Sequence, residues 1–519
     1  MKRINDLQYL KLNKLSAFMY DALMFFCSIP GWIWGIICKV GAAVKKGLAW
    51  VGDEIADIIY TYKNGNKAVR RSFFIFGAGN RFYGQKLRAN LFLIFQILFI
   101  GYMLVPSGGL HWLGKVNWFQ AGEKIGTVQG YMGYHPILDT PIWIEGDDSV
   151  RVLLYAMLTV FFIIGYIATW RMQVKQCRIC MDITASGKKI RSGKEDLESL
   201  LDDQFHKTLL APSLIGIIVF TVIPTIYMTL IAFTSYDGAH DGYSNLFGWV
   251  GLEHFNEIFD FGSGGLGLTF GEILSWTLMW SFFATFSNYF LGMFVAMAIN
   301  KKGIKLKKFW RTVLVMTIAI PQFVSLLYVS KLFDSSGIVG KFLLENGLFP
   351  QSLIENNIYT LWGDPVTAKI LLIVVNIWIG IPYIMLMATG ILMNIPEDLY
   401  ESARIDGASS VQQFTKITLP YMLFVTGPYL LTSFVGNLNN FNVIYLLSGG
   451  NPIKGVAGGA SVGHTDLLIT WLFKMTIGSA TSQYYYASVI GILIFVVVAF
   501  LSLIVYNVIP STKNEEDFG

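Results

Sequence analysis

Eight apolar runs, each long enough to cross a bilayer, constrain this chain more than any other feature. They cover about 89–105, 152–170, 209–233, 273–299, 312–332, 369–393, 421–447 and 486–508. Hydrocarbon offers no partner for a backbone N–H or C=O, so runs of this kind fold as helices. Of the 519 residues, 54% are hydrophobic and 14% charged, against about 25% charged in an ordinary soluble domain. The sequence therefore predicts an all-α polytopic membrane protein with about eight transmembrane helices.

The segments between the runs differ in basic content. Residues 171–208 carry Arg171, Lys175, Arg178, Lys188, Lys189, Arg191, Lys194 and Lys207, and 300–311 carry Lys301, Lys302, Lys305, Lys307, Lys308 and Arg311. Residues 234–271 hold no Lys or Arg, and 334–367 hold only Lys341. The positive-inside rule then puts 1–88, 171–208, 300–311, 394–420 and 509–519 in the cytoplasm, both termini included. The external loops are 106–151, 234–272, 334–368 and 448–485, each too short for a large independent domain. The net charge of +5 sits in short loops beside apolar runs, so it does not point to a nucleic-acid partner.

The first 88 residues are basic and only partly apolar. Pro30-Gly31 interrupts 17–40, and 48–60 is amphipathic with Asp53, Glu54 and Asp57. With Trp32, Trp34 and Trp50 beside lysines, both read as helices in the membrane interface, a kinked first span being the competing reading of 17–40. No cleavable signal peptide is expected. The organisation is then 1–88, a two-span segment 89–208, a membrane-spanning core 209–510 and a tail 511–519. The cysteines are Cys27, Cys38, Cys177 and Cys180. Cys177 and Cys180 have CxxC spacing but lack the second pair or His cluster of a zinc site, and read as reduced structural thiols.

No run from 209 onward carries an ionisable residue away from its ends, which argues against a proton-coupled carrier. There is no Walker A pattern. Asp147 and Asp148 are adjacent and point in different directions, a poor acid/base pair for a glycan-cleaving enzyme. What remains is uncharged polarity. On a continuous helix, Ser433, Asn437 and Asn440 fall on one stripe, bordered by Gly436. Ile379 and Tyr383 share a face next to Gly380 and Pro382, which weaken the helix. Amides match sugar hydroxyls and aromatic faces cover the C–H faces of sugar rings. The same Asn and Gly residues could instead hold helices together.

The polar interruption at Asn394–Pro420 reads as two short helices around a turn. Pro396 suits a first helical turn, and Glu397, Asp398 and Glu401 favour the positive helix end. Gly407 suits a left-handed stop, Ser410 with Gln413 a capping box, and Pro420 a fresh start. Local physics alone leaves open a plain capped loop or a docking element. The pattern is more specific than that: Glu401-Ser402-Ala403, then Gly407, then Ile417, Leu419 and Pro420. It resembles the EAA loop of binding-protein-dependent ABC importer permeases, Ser402 for Ala being the one departure. In that family this loop is the coupling helix that docks in a cleft of a cytoplasmic ATPase.

Similarity to MalF-type permeases of carbohydrate ABC importers covers most of 209–508, including Asn439-Asn440-Phe441, Gly449-Gly450 and Thr465-Asp466-Leu467-Leu468. The resemblance implies a type I ABC importer permease fold with a cytoplasmic EAA coupling helix. It implies a non-catalytic subunit that moves maltodextrin-like oligosaccharides across a bacterial cell membrane by alternating access. The partners would be a second homologous permease, two ATPase subunits that hold ATP and magnesium, an extracytoplasmic sugar-binding protein and membrane lipid. This chain itself would hold no cofactor or metal. The family's sugar contacts match Ile379, Gly380, Tyr383, Ser433, Gly436, Asn437 and Asn440. The family's aromatic is missing at Gly436, which should leave a roomier site, and its large insertion is missing from 234–272. An ATP-independent channel or secondary carrier is the alternative.

Overall fold

The computed structural model describes residues 38, 41–42, 44–134, 140–144, 146–240, 245–262, 265–301, 303–355, 359–477 and 482–508. Nearly all of 17–40 and the tail from 509 therefore lie outside the described residues. Seven described helices are long and apolar enough to cross a membrane. They are α1 (Lys86–Leu104), α2 (Ser149–Ala185), α3 (Phe205–Ile231), α4 (Gly267–Asn300), α7 (Pro365–Leu392), α9 (Ser410–Leu438) and α12 (Tyr484–Val508). An eighth apolar run is split into α5 (Lys307–Ala319) and α6 (Gln322–Leu332). The shorter helices used below are α8 (Glu397–Ile405), α10 (Phe441–Leu447) and α11 (Leu468–Ile477).

Three of the expected spans differ from their apolar runs. The helix through 152–170 continues to Ala185, so Cys177 and Cys180 lie on a buried helical face and not in a loop. The run 312–332 bends by 93° at Ile320–Pro321. Pro321 has no N–H and its ring disfavours a helical residue before it, and Ile320 is accordingly extended at ψ 129°. The run 421–447 begins earlier, at Ser410, and ends at Leu438 before a new helix at Phe441. Pro420 thus lies inside a continuous span. The turn widens to a π-helix over Phe414–Thr418, which includes the Lys416 carbonyl that a proline at 420 would otherwise strike.

Contacts divide the chain into two compact units, residues 1–113 with 156–217 and residues 114–155 with 218–519. In the first, a helix over 44–64 turns its acids onto α2: Glu54 and Asp57 pair with Arg171, the latter at 2.6 Å, and Asp57 also meets Arg178. Its Leu48, Trp50, Val51, Ile55 and Ile59 are exposed. The backbone at 73–77 is non-helical, with Phe76 and Gly77 buried, and buried backbone needs partners. Side chains of α1 and α2 supply them. Phe76 N–H donates to Gln96 Oε1 (2.8 Å), Gly77 N–H donates to Gln173 Oε1 (2.9 Å), and Trp170 Nε1 donates to the Phe73 carbonyl (3.1 Å).

The second unit is built on α4, α7 and α9. Trp276 and Trp280 of α4, Leu372 and Val375 of α7, and Val443 and Ile444 of α10 form one core. Tyr289 and Met293 of α4, Met385 of α7 and Met422 of α9 form another. Tyr289 and Thr426 also share a hydrogen bond of 2.8 Å. In lipid such packing rests on close contact and hydrogen bonds more than on the hydrophobic effect. Two antiparallel hairpins join the helices: β1 (Tyr131–Tyr134) with β2 (Pro141–Ile144), and β3 (Ile453–Ala457) with β4 (Ala460–Gly463). Asp466, buried between β4 and α11, accepts from Gly463 N–H (2.7 Å) and Thr470 Oγ1 (2.9 Å) and pairs with buried Lys474 at 2.8 Å.

Candidate functional site

The polar turn is built locally. Pro396 is the N-cap of α8 with ψ 131°, one position before the expected first turn. Glu397 and Asp398 lie in the first turn, where the helix dipole favours acids. Asp406 ends the helix and Gly407 follows with φ +77°, the left-handed conformation in which a Cβ is penalised. The capping box is Ser409 with Gln412, one residue earlier than the expected Ser410 and Gln413. Ser409 can cap because its backbone is extended, at ψ 159°. Ser410 is already inside the helix.

Two contacts brace the turn: Ala408 N–H donates to the Ala403 carbonyl (2.8 Å), and Tyr400 Oη meets Thr418 Oγ1 (2.9 Å). Glu401, Ser402, Gly407 and Pro420 are exposed, while Ala403, Ile417 and Leu419 are half-buried. A cavity of about 700 Å³ adjoins the turn, lined among others by Asn300, Lys301, Glu397, Tyr400 and Arg404. Asn300 is held by Lys307 through its carbonyl (3.0 Å) and donates to Thr389 of α7 (3.0 Å).

The uncharged polar residues of α7 and α9 come together by a different route from the expected stripe. The helix stops at Leu438, so Asn440 does not share it with Ser433 and Asn437. Instead Asn440 is the N-cap of α10, accepting from Val443 N–H at 3.3 Å. Its Nδ2 donates back to Asn437 Oδ1 (3.1 Å), so the break itself joins the two amides. Asn437 Nδ2 donates to Thr285 Oγ1 of α4 at 3.0 Å, so in this conformation it faces a neighbouring helix rather than open space. Tyr429 lies one helical turn from Ser433, and its ring lies 6.1 Å from that of Tyr383. Tyr383 is more than half exposed, and a Cβ at Gly436 would meet nothing within 4 Å. Ile379 packs partly against the Trp276–Trp280 core. A Cβ on Gly380 would lie 2.4 Å from Asn288 Nδ2, so the Asn288 carboxamide of α4 packs directly on this bare glycine of α7.

Sequence reasoning missed Thr285, Asn288 and Tyr429. Each is a polar group within a long apolar helix, and only the neighbouring helix reveals its position. Asp147 and Asp148 have structural roles. Asp148 accepts from Val150 N–H (2.9 Å) at the start of α2. Asp147 pairs with Lys115 (2.6 Å) and accepts from Thr127 and Val128 N–H groups. Burial alone would push the Asp147 carboxyl up, but these partners outweigh it and hold it at about 2. A carboxyl so firmly ionised has no proton to give as a general acid.

Residues 288–513 match the family described as the binding-protein-dependent transport system inner membrane component. The maltodextrin transport system permease protein MalC of Streptococcus pneumoniae serotype 4 is 31% identical over 85% of this chain and 95% of its own. The chain belongs to this family of transport permeases. The galactooligosaccharides transport system permease protein GanP of Bacillus subtilis strain 168 is 32% identical, over 78% of the permease and 94% of the relative. The maltose/maltodextrin permease MalF of Vibrio parahaemolyticus is 35% identical over 52% of the permease and 49% of its own length. The permease is thus a multi-pass membrane protein of a transport system.

Proposed function

We propose that the permease carries oligosaccharides of the maltodextrin type, delivered by an extracytoplasmic binding protein, through an ATP-driven importer. The names of its relatives support an oligosaccharide as cargo. The observation that carries the reading is a set of uncharged, amphipathic residues on α7, α9 and the start of α10: the ring pair Tyr383–Tyr429, Ser433, and the bonded amides Asn437 and Asn440, with open space at Gly436. Two phenol rings suit sugar C–H faces, and two amides suit hydroxyls. No charge is present to demand an ionic substrate.

The turn around Gly407 is the coupling element. Its exposed Glu401, Ser402 and Gly407 present a carboxylate beside two small residues, which a cytoplasmic ATPase subunit can approach closely. Tyr400–Thr418 braces the turn against α9, the helix that carries Ser433 and Asn437. A push on the turn is therefore delivered to the sugar site along one rigid element. A second homologous permease and two ATPases complete the assembly, and ATP binding and hydrolysis alternate the opening of the cavity. Basic segments 171–208 and 300–311, with both termini, face the cytoplasm.

Reconstitution with the partner permease, ATPases and binding protein tests this. Uptake of oligosaccharide should require ATP, and a cysteine placed at Lys305 should react only from the ATPase side, one at Asn245 only from the other. ATP-independent uptake would favour a channel or secondary carrier, and labelling of position 305 from the outside would reverse the orientation.

A further inference from the structure

The walls of the sugar site named so far belong to α7 and α9. A third helix meets both. Thr285 and Asn288 stand three residues apart on α4, a spacing that puts them on one helix face. Thr285 is buried and accepts the Asn437 amide at 3.0 Å, which ties this face to α9. Asn288 packs on bare Gly380, where a Cβ would lie 2.8 Å from its Oδ1, which ties the same face to α7.

The Asn288 carboxamide is not a finished contact. Its Oδ1 is buried and meets no donor among the described residues. A buried amide oxygen left without a donor is costly, the more so inside a membrane, where no bulk water compensates. An asparagine that served only to join helices would have its oxygen satisfied by the helix it touches. Asn288 Oδ1 has instead the valence of a group awaiting a hydroxyl. An apolar residue of similar volume at 288 would pack on Gly380 as well, without leaving an orphan acceptor.

We propose that Asn288 is a sugar-contacting residue on a third wall of the site, accepting a hydroxyl hydrogen through Oδ1, and that Thr285 positions Asn437 beside it. The inference rests on the reading of the site as an oligosaccharide path. It assigns α4 a direct part in recognition. Thr285 holds one Asn437 N–H, which leaves that amide's second N–H for the sugar and fixes its plane. The cargo thereby meets an acceptor from α4 and a donor from α9 at neighbouring points, a pairing that suits a hydroxyl able to do both.

The test is equilibrium binding of a radiolabelled maltodextrin to the purified assembly of both permeases with the ATPases, without binding protein. Loss of one hydroxyl partner in a dry site weakens binding about 5- to 150-fold, the range expected for Asn288→Ala and for isosteric Asn288→Leu. Assembly of the permeases with the ATPases should stay unchanged. Thr285→Val should also weaken binding, and Thr285→Ser, which keeps the hydroxyl, should restore it. Asn437→Ala is measured beside them. If Asn437→Ala weakens binding while both Asn288 variants bind as the unaltered protein does, the third wall is overturned and the sugar path stands. If Asn437→Ala has no effect either, the sugar path itself fails. Loss of the assembly in both Asn288 variants would overturn the inference by making the residue a packing contact.

Discussion

The turn at 397–413 and the break at 438–441 do opposite things with the same residue types. In the turn, Ser409, Gln412 and Gly407 satisfy only their own neighbours: the capping box closes over four residues, and Gly407 supplies one left-handed conformation. In the break, Asn440 bonds only its neighbours Asn437 and Val443, but Asn437 also reaches Thr285 across 152 positions. The first region is exposed, and water can compensate any group left unpaired. The second lies inside apolar helices, where each amide needs a partner from the protein or from the cargo. A local polar motif can therefore serve as a surface for another protein, while a non-local one is suited to meet a substrate.

The largest effect should come from Gly407→Val. A β-branched side chain is an outlier at φ +77°, so the turn reshapes where it must dock. Uptake should fall to background while the protein still inserts, as read by membrane fractionation beside transport; normal uptake would break the assignment of this surface. Asn437→Ala comes next, on the other side of the comparison. Sugar-dependent uptake should weaken by about 5- to 150-fold with the ATPases still bound. If co-purification of the ATPases fails instead, the Asn437–Thr285 bond is helix adhesive and the contrast between the regions disappears.

Gly436→Phe sharpens the comparison without removing a hydrogen bond. The ring would occupy the open space beside α9, and the uptake profile should shift toward shorter sugars. An unchanged profile across a series of oligosaccharide lengths would show that position 436 does not line the path. The smallest effect is expected for Tyr400→Phe, which deletes the 2.9 Å bond to Thr418. One such bond contributes about 0.5–1.5 kcal/mol, so ATP-coupled uptake should drop roughly 2- to 12-fold and sugar affinity should not change. A change in sugar affinity would mean that the two regions are less separate than the contrast supposes.

How much was legible follows from the same distinction. The existence of the membrane helices, the turn with Gly407 as its stop, and the pattern Glu401-Ser402-Ala403 to Pro420 could all be read from neighbouring residues. The capping box was misread by a single residue, because Ser409 and Ser410 are adjacent and only backbone conformation chooses between them. Two helix breaks were missed. Leu438–Leu447 and Thr312–Leu332 are apolar only on average, and hydropathy adds up side chains without direction. Pro321 carried the signal for the 93° bend, but a proline within an apolar run also occurs in helices that continue, as Pro382 does in α7.

The sequence by itself determined that this chain lives in a bilayer, how many times its apolar runs can cross, and where its exposed polar turn lies. These properties depend on transfer into hydrocarbon and on hydrogen bonds within a few residues. Only the tertiary structure decided that Asn440 starts a helix instead of continuing a stripe, that Gly380 makes room for Asn288, and that α4 supplies Thr285 to Asn437. The physical reason is that lipid rewards every apolar helix face about equally. Which faces meet is left to close packing and to the pairing of buried amides, and both are properties of two helices at once.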